Sequence, residues 1–278
     1  MLSDLNSNRI ITESSLPRLE SELLLAFLLH KNREFLLTYP EKKISSTIYK
    51  KFKQLEEKRL NHWPIAYLLG HKEFYGLDFI VNQQVLTPRP ETELIIDQVL
   101  ELITIKKPDI IIDVGTGSGA IIITLAQKIK PRISFLATDI STSALKIANQ
   151  NARHHRVDKK IKFYQGNLLT PIIDKLSGRD LLITANLPYL TPKQIKNSPS
   201  IQWEPLLALN GGPNGLRYYY ELFQQLNKVS YQSLTLLCEI DSTQKLEIKK
   251  LAQKYFSGCF LEIKKDLAGK DRLLILKN

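Results

Sequence analysis

Two clusters of residues in this sequence have types and spacing suited to chemistry. The first is Asp113-Val114-Gly115-Thr116-Gly117-Ser118-Gly119-Ala120, which joins a short apolar run to a helical one. Glycines in that context let a ligand approach the backbone closely, at the point where the N–H groups opening a helix can meet it. Asp139 follows about 20 residues later, where a carboxylate ending the next strand can accept hydrogen bonds from both hydroxyls of a ribose. Gly115, Thr116, Gly117, Ser118, Gly119 and Asp139 are therefore expected to bind a nucleoside-containing cofactor. Gly115, Gly117 and Ala120 also satisfy the dinucleotide pattern, so a nicotinamide or flavin remains open on these residues alone.

The second cluster is Asn186-Leu187-Pro188-Tyr189, placed after a later apolar run, where the carboxyl end of a strand meets a cofactor crevice. Here the sequence resembles the S-adenosylmethionine-dependent methyltransferases that modify planar amino groups, whose motif is Asn or Asp, Pro, Pro, then Tyr or Phe. The nitrogen of a carboxamide or a base amino group is conjugated and a poor nucleophile. A side-chain carbonyl at Asn186 and a backbone carbonyl at Leu187 can each accept one N–H and aim the nitrogen at a methyl group. Fixed dipoles then stabilise the positive charge that develops. Pro188 shapes the turn, and Tyr189 is expected to pack on the flat face of the conjugated group. The motif's first Pro is Leu187 here. That change keeps the carbonyl, releases the locked φ and adds an N–H that needs a partner.

These residues need rigid elements behind them. From Asp109 onward, short apolar runs (110–114, 133–138, 161–164, 181–185 and 234–240) alternate with helical segments at 118–129, 142–154, 216–229 and 243–256. Such alternation implies a mainly parallel sheet covered on both faces. Runs at 259–264 and 273–276 supply two further strands for an antiparallel hairpin. Before residue 62 the apolar residues recur at helical steps, with a second amphipathic stretch over 44–60. Pro64 is expected to end that module, and Phe74 to Leu86 reads as a hairpin around a polar turn. Thr87-Pro88-Arg89-Pro90-Glu91-Thr92-Glu93 then leads into a helix from Glu91 to about Ile105.

The composition, 278 residues with 43% hydrophobic, 24% charged and 2 Cys, is that of a globular protein and excludes a fibre or a disulfide scaffold. The longest apolar run near the start, Leu23 to Leu29, is far short of the ~18 to 20 residues of a membrane span, and no leader is evident. A cytoplasmic protein is expected. Neither Cys238 nor Cys259 has a second Cys nearby, and the adjacent His154 and His155 lack a completing carboxylate, so no metal site is expected. The net charge of +11 fits a nucleic-acid partner or lysine enrichment equally well.

Longer stretches carry a closer resemblance. Trp63-Pro64-Ile65-Ala66-Tyr67-Leu68-Leu69-Gly70, Phe74-Tyr75-Gly76 and Val85 to Glu93 are similar to segments of the protein-glutamine methyltransferases that modify peptide-chain release factors. So are Glu204 to Leu209, Gly211 to Leu216 and Asp266 to Arg272. The resemblance spans roughly residues 60 to 277. It implies an α/β fold: a Rossmann-like class I S-adenosylmethionine-dependent methyltransferase domain, with a mainly parallel seven-stranded sheet and C-terminal antiparallel hairpin. It also implies a small N-terminal helical domain and a linking β-hairpin, with boundaries at 1–70 (substrate docking), 71–87 (linker) and 88–278 (catalytic). The implied reaction methylates the glutamine of a Gly-Gly-Gln tripeptide in the release factor. By the same resemblance, Gly115 to Gly119 line the methionine end of S-adenosyl-L-methionine, Asp139 its ribose, and Leu168, after Gly166-Asn167, its adenine. Asn186 borders cofactor and substrate, and Arg89, Glu91 and Thr92 cover the cofactor, bind substrate or cap a helix. A monomer that needs neither nucleic acid nor membrane is expected. The alternative is a methyltransferase acting on adenine or cytosine amino groups in DNA or RNA.

Overall fold

The computed structural model describes residues 5–129 and 133–278. It divides into two units, one running to His71 and including Pro199–Trp203, the other comprising Lys72–Ser198 and Glu204–Asn278.

The first unit is helical: α1 (Ser7–Thr12), α2 (Arg18–Leu29), α3 (Arg33–Thr38), α4 (Ser46–Leu60) and α5 (Ile65–Leu69). Asn6, Asn32 and Ser45 cap α1, α3 and α4, each accepting a hydrogen bond from a backbone N–H of the first turn. Leu24, Leu25, Leu36 and Phe52 form its core. Pro64 does not end the helical module as the sequence suggests. It precedes α5, because a proline lacks only an N–H that the first turn leaves unbonded anyway.

The second unit, from Lys72, takes in all but the first residue of a two-stranded hairpin of β1 (His71–Phe74) and β2 (Leu77–Ile80). Its turn is Tyr75-Gly76, not the polar Asn82-Gln83-Gln84 expected from the pattern. Both turn residues take positive φ, 52° and 75°, the geometry that matches the twist of paired strands. A short 3-10 turn at Pro90–Thr92 then precedes α6 (Glu93–Ile105).

Beyond α6 the chain alternates: β3 (Ile110–Val114), α7 (Ala120–Lys128), β4 (Ser134–Asp139), α8 (Thr142–His154), β5 (Ile161–Gln165) and β6 (Asp180–Ala185). Next come α9 (Pro192–Lys196), α10 (Arg217–Leu226), β7 (Ser233–Glu239), α11 (Lys245–Tyr255), β8 (Phe260–Lys265) and β9 (Asp271–Lys277). The seven-stranded sheet has the order β5-β4-β3-β6-β7-β9-β8. Strands β3 to β7 pair in parallel, and β9 runs antiparallel to both β7 and β8. Both sheet faces are buried. Ile110, Ile112 and Val114 of β3 enter one core, while Ile111 enters another with α6 and α7. All of α7 from Ala120 to Ala126 is buried, as its nearly continuous apolar sequence requires.

The order reverses at β3, with β4 on one side and β6 on the other, which is where an open parallel sheet forms a crevice at its carboxyl end. The registers Val114↔Thr138, Val114↔Ala185 and Ala185↔Cys238 bring the next residues, Gly115, Asp139, Asn186 and Glu239, to one level along that rim.

Candidate active site

A cavity of about 340 Å3 occupies the crevice, within the size range of small-molecule clefts. Its lining includes Gly115, Thr116, Gly117, Ser118, Asp139, Leu168, Asn186, Leu187 and Pro188. Of the residues singled out in the sequence, Gly119 and Tyr189 are not in the lining. Gly119 packs behind it, where an added Cβ would come within 2.7 Å of Ile123 and 3.3 Å of Ala148. Arg89 and Thr92 line the cavity, whereas Glu91 is exposed outside it.

The glycine loop is held from both ends. Gly115 and Thr116 donate backbone N–H bonds to the Thr138 carbonyl at 2.9 and 3.0 Å. The Thr116 hydroxyl donates to Asp113 at 2.6 Å, and Thr184 donates to the same carboxylate at 2.9 Å. Burial raises the Asp113 pKa from 3.8 to about 6, with the two hydroxyls opposing the shift. Gly117 has φ +55° and no protein atom within 4 Å of where a Cβ would stand, so its backbone opens onto the cleft.

Asp139 faces the loop across the switch point. One oxygen accepts from the Gly117 N–H at 2.8 Å, and the other accepts from the Ser141 N–H at 2.8 Å. Burial raises its pKa, while those N–H groups oppose the change. Each oxygen retains a lone pair, so the carboxylate can still take two hydroxyl donors from a ligand. On the far wall, Leu168 is held at φ 51°, a costly left-handed conformation for this residue, and the adjacent Leu169 N–H is fixed by Gln225 at 2.8 Å.

The turn after β6 brings Asn186 and Leu187 to the other side of the cleft. The Asn186 Nδ2 donates to the Thr92 hydroxyl at 3.1 Å, and Thr92 donates to Glu239 at 2.7 Å. The Asn186 carbonyl oxygen has no partner among the described residues. Tyr189 donates its hydroxyl to Glu239 at 3.2 Å. Burial raises the Tyr189 pKa, and the negative Glu239 adds to the shift.

Leu187 is 3% exposed and belongs to the main core. A Cβ on Gly115 would meet its Cδ2 at 2.9 Å, so the leucine side chain packs against the glycine loop. Its added N–H lies near the hydroxyl of the buried Tyr219 and opposes the upward push of burial on that group's pKa. The turn is thus built around leucine.

The Gly211 to Leu216 string supports this turn. Gly211 donates to the Leu190 carbonyl at 2.9 Å, and Gln244 bonds the Tyr189 carbonyl at 2.9 Å and the Asn214 carbonyl at 3.2 Å. A Cβ on Gly215, with φ +72°, would fall on Gln244 and the Tyr189 backbone. At the mouth, Glu204 pairs with Arg89 and accepts from the Thr87 N–H at 3.3 Å, tying the Val85 to Glu93 string to the Pro205 to Ala208 loop. Asp266 and Arg272 pair at 3.1 Å, away from the cavity lining.

Sequence reasoning missed Glu239 and Gln244. Glu239 had a visible signal, a carboxylate ending an otherwise apolar run. Gln244, in the polar stretch after it, had none. Among the described residues no group of His, Cys, Asp and Glu is arranged to hold a metal.

Residues 9–70 match the family model of the PrmC N-terminal domain, and residues 105–261 match that of a methyltransferase domain. The release factor glutamine methyltransferase of Bacillus subtilis (strain 168) is 34% identical over 270 residues, covering 95% of this chain and 92% of the relative. That of Moorella thermoacetica is 36% identical over 261 residues, with coverages of 93% and 90%. That of Coxiella burnetii is 35% identical over 274 residues, with coverages of 98% and 95%. Among solved structures, the hMettl16 catalytic domain in complex with MAT2A 3′UTR hairpin 1 shares the fold at a TM-score of 0.59. It is 15% identical and covers 91% of this chain and 90% of that one. With these relatives matched over nearly their whole length, the chain belongs to the release factor glutamine methyltransferase family.

Proposed function

We propose that the protein transfers a methyl group from S-adenosyl-L-methionine to the side-chain amide nitrogen of the glutamine in the Gly-Gly-Gln tripeptide of peptide-chain release factors, supporting translation termination. The observation that carries this reading is the free carbonyl oxygen of Asn186, in the same cavity as Leu187 and the Gly115 to Ser118 loop. S-adenosylmethionine supplies an electrophilic methyl on sulfur and leaves as S-adenosylhomocysteine. The residues present fit it: Gly117 leaves open the space a side chain would fill, Asp139 has two acceptor positions for ribose hydroxyls, and Leu168 offers an apolar wall for adenine.

In this mechanism the Asn186 side-chain carbonyl and the Leu187 backbone carbonyl each accept one N–H of the glutamine amide. The lone pair is thereby turned toward the methyl, and the two carbonyl dipoles stabilise the charge that grows on nitrogen as the new N–C bond forms. The nitrogen then gives up one proton to solvent. Pro188 fixes the backbone beside the acceptors, and Tyr189 buttresses the turn.

The helical unit before residue 71 is read as the surface that docks the intact factor. The enzyme acts in the cytoplasm as a monomer, without nucleic acid. Among the described residues no helix is long and apolar enough to cross a membrane.

The test is incubation with labelled S-adenosylmethionine and a release factor, its Gln-to-Ala tripeptide variant, or nucleic acid. Label on the unaltered factor alone is expected. Label on both factors, or on nucleic acid alone, would overturn the reading.

A further inference from the structure

We propose that Glu239 is a positioning residue for methyl transfer. Through the Thr92 hydroxyl it decides which end of the Asn186 amide faces the cleft, and through the Tyr189 hydroxyl it holds the neighbouring side chain. The proposal rests on the reading that Asn186 accepts the substrate amide.

Glu239 ends β7, level with Asn186 at the end of β6, and it is 1% exposed. Burying a carboxylate is costly unless its charge is satisfied, and a packed apolar residue would carry no such cost. Glu239 has no salt-bridge partner among the described residues. The nearby Arg272 guanidinium is engaged by Asp266 at 3.1 Å and by the Ile240 carbonyl at 3.3 Å. Its two oxygens instead accept from Thr92 at 2.7 Å and Tyr189 at 3.2 Å.

The direction of this chain follows from counting protons. An ionised carboxylate can only accept. The single hydroxyl proton of Thr92 is therefore committed to Glu239, so toward Asn186 the Thr92 oxygen can only accept. The NH2 end of Asn186 must turn to Thr92, at 3.1 Å, and the carbonyl end must turn away from it. That leaves an acceptor, not a donor, for the substrate N–H. Without the carboxylate, Thr92 could donate to the Asn186 oxygen, and the amide would present its NH2 group where the reacting substrate nitrogen needs an acceptor for its N–H. Tyr189, fixed by the other oxygen, keeps the turn from rotating.

Protonated Glu239 would gain a donor of its own and release the constraint. Burial raises its pKa, opposed by the hydroxyl of Thr92, the charge of Arg272 and the hydroxyl of Tyr189, and aided by the charge of Glu91. Loss of turnover at acid pH is therefore expected to begin above the usual carboxylate range.

The experiment compares Glu239→Gln, Thr92→Val, Thr92→Ser and the double variant Glu239→Gln/Thr92→Val in the full chain, with a release factor as substrate. A glutamine at 239 can show Thr92 either end of its amide, so kcat should fall about 10- to 100-fold, with KM and cofactor affinity nearly unchanged and the acid limb of the kcat profile lost. Thr92→Val should fall to the same level and Thr92→Ser should recover it. The double variant should be no worse than Thr92→Val, as for residues in one chain of hydrogen bonds. The side-chain NH2 resonance of Asn186, assigned by its disappearance in Asn186→Asp, should move in both Glu239→Gln and Thr92→Val without any substrate.

Wild-type kcat and an intact acid limb in Glu239→Gln, or multiplicative losses in the double variant, would overturn the relay. An unmoved Asn186 resonance would overturn it too. If Glu239→Gln fails to fold, Thr92→Val decides by the same readouts. If the wild type does not methylate the factor while the resonance responds, the substrate reading falls and the relay stands.

Discussion

Removing the Asn186 side chain should separate chemistry from binding. Asn186→Ala is expected to lower kcat by about 10²- to 10³-fold, the usual effect of losing one group that stabilises developing charge, and to change cofactor affinity little. Asp139→Ala should do the reverse, raising the S-adenosylmethionine dissociation constant by about one to two orders of magnitude. Stopped-flow turnover and calorimetry on the two variants check both halves. Asp113 makes a separate prediction about stability. Its pKa is raised from 3.8 to about 6 by burial, so the folded chain holds a proton that the unfolded chain has released. The stabilisation from its neutral form is fully present below the ordinary carboxylate pKa and is lost as pH rises through about 6. Relative to Asp113→Asn, the wild type should lose on the order of 2 kcal/mol between about pH 4 and pH 7 in urea unfolding. Asn186, Asp139 and the glycine loop were legible in the sequence because each sits in a short motif at fixed distance from a strand end. Glu239 shows in the sequence only as a carboxylate ending an apolar run; its tie to Thr92, 147 positions away, exists only in the folded chain.

Strands and helices were legible to within three residues wherever apolar periodicity decides them, and α8 falls where its pattern places it, Thr142–His154. The hairpin was displaced because turn geometry outweighed polarity: Gly76 and Tyr75 accept positive φ, while Asn82 to Gln84 merely look turn-like. The turn after β6 shows the same limit. In the sequence, Leu187 stands where the family motif has proline and keeps the backbone carbonyl that the proposed contact uses. The structure gives its side chain a place in the core, against the glycine loop. Leu187→Pro is therefore expected to leave a cavity, costing roughly 2 kcal/mol or more of stability. It should also lower kcat more than about tenfold by moving the Asn186 and Leu187 acceptors. Thermal unfolding and steady-state kinetics on this variant check the prediction, and unchanged turnover would mean that the leucine is incidental.

Every residue lining the cavity belongs to the second unit, while the first unit takes in the distant segment Pro199–Trp203. No local pattern could announce that membership. It rests on the stacking of Trp203 on Trp63 at 4.7 Å and on the Trp203 indole N–H, which donates to the Asn61 carbonyl at 2.8 Å. Trp203→Ala should weaken the first unit by about 1 to 2 kcal/mol, seen as faster hydrogen exchange in α4, with cofactor affinity unchanged. This fold is proposed to deliver a methyl group to a carboxamide nitrogen. An amide methylated on nitrogen releases methylamine on acid hydrolysis, whereas a methyl on carbon or on oxygen does not. Hydrolysis of a release factor labelled by this enzyme should yield one labelled methylamine per chain, and none when Asn186→Ala replaces the wild type in an equal time. Label retained in another amino acid, or methylamine undiminished with Asn186→Ala, would contradict methyl transfer to the amide nitrogen by Asn186.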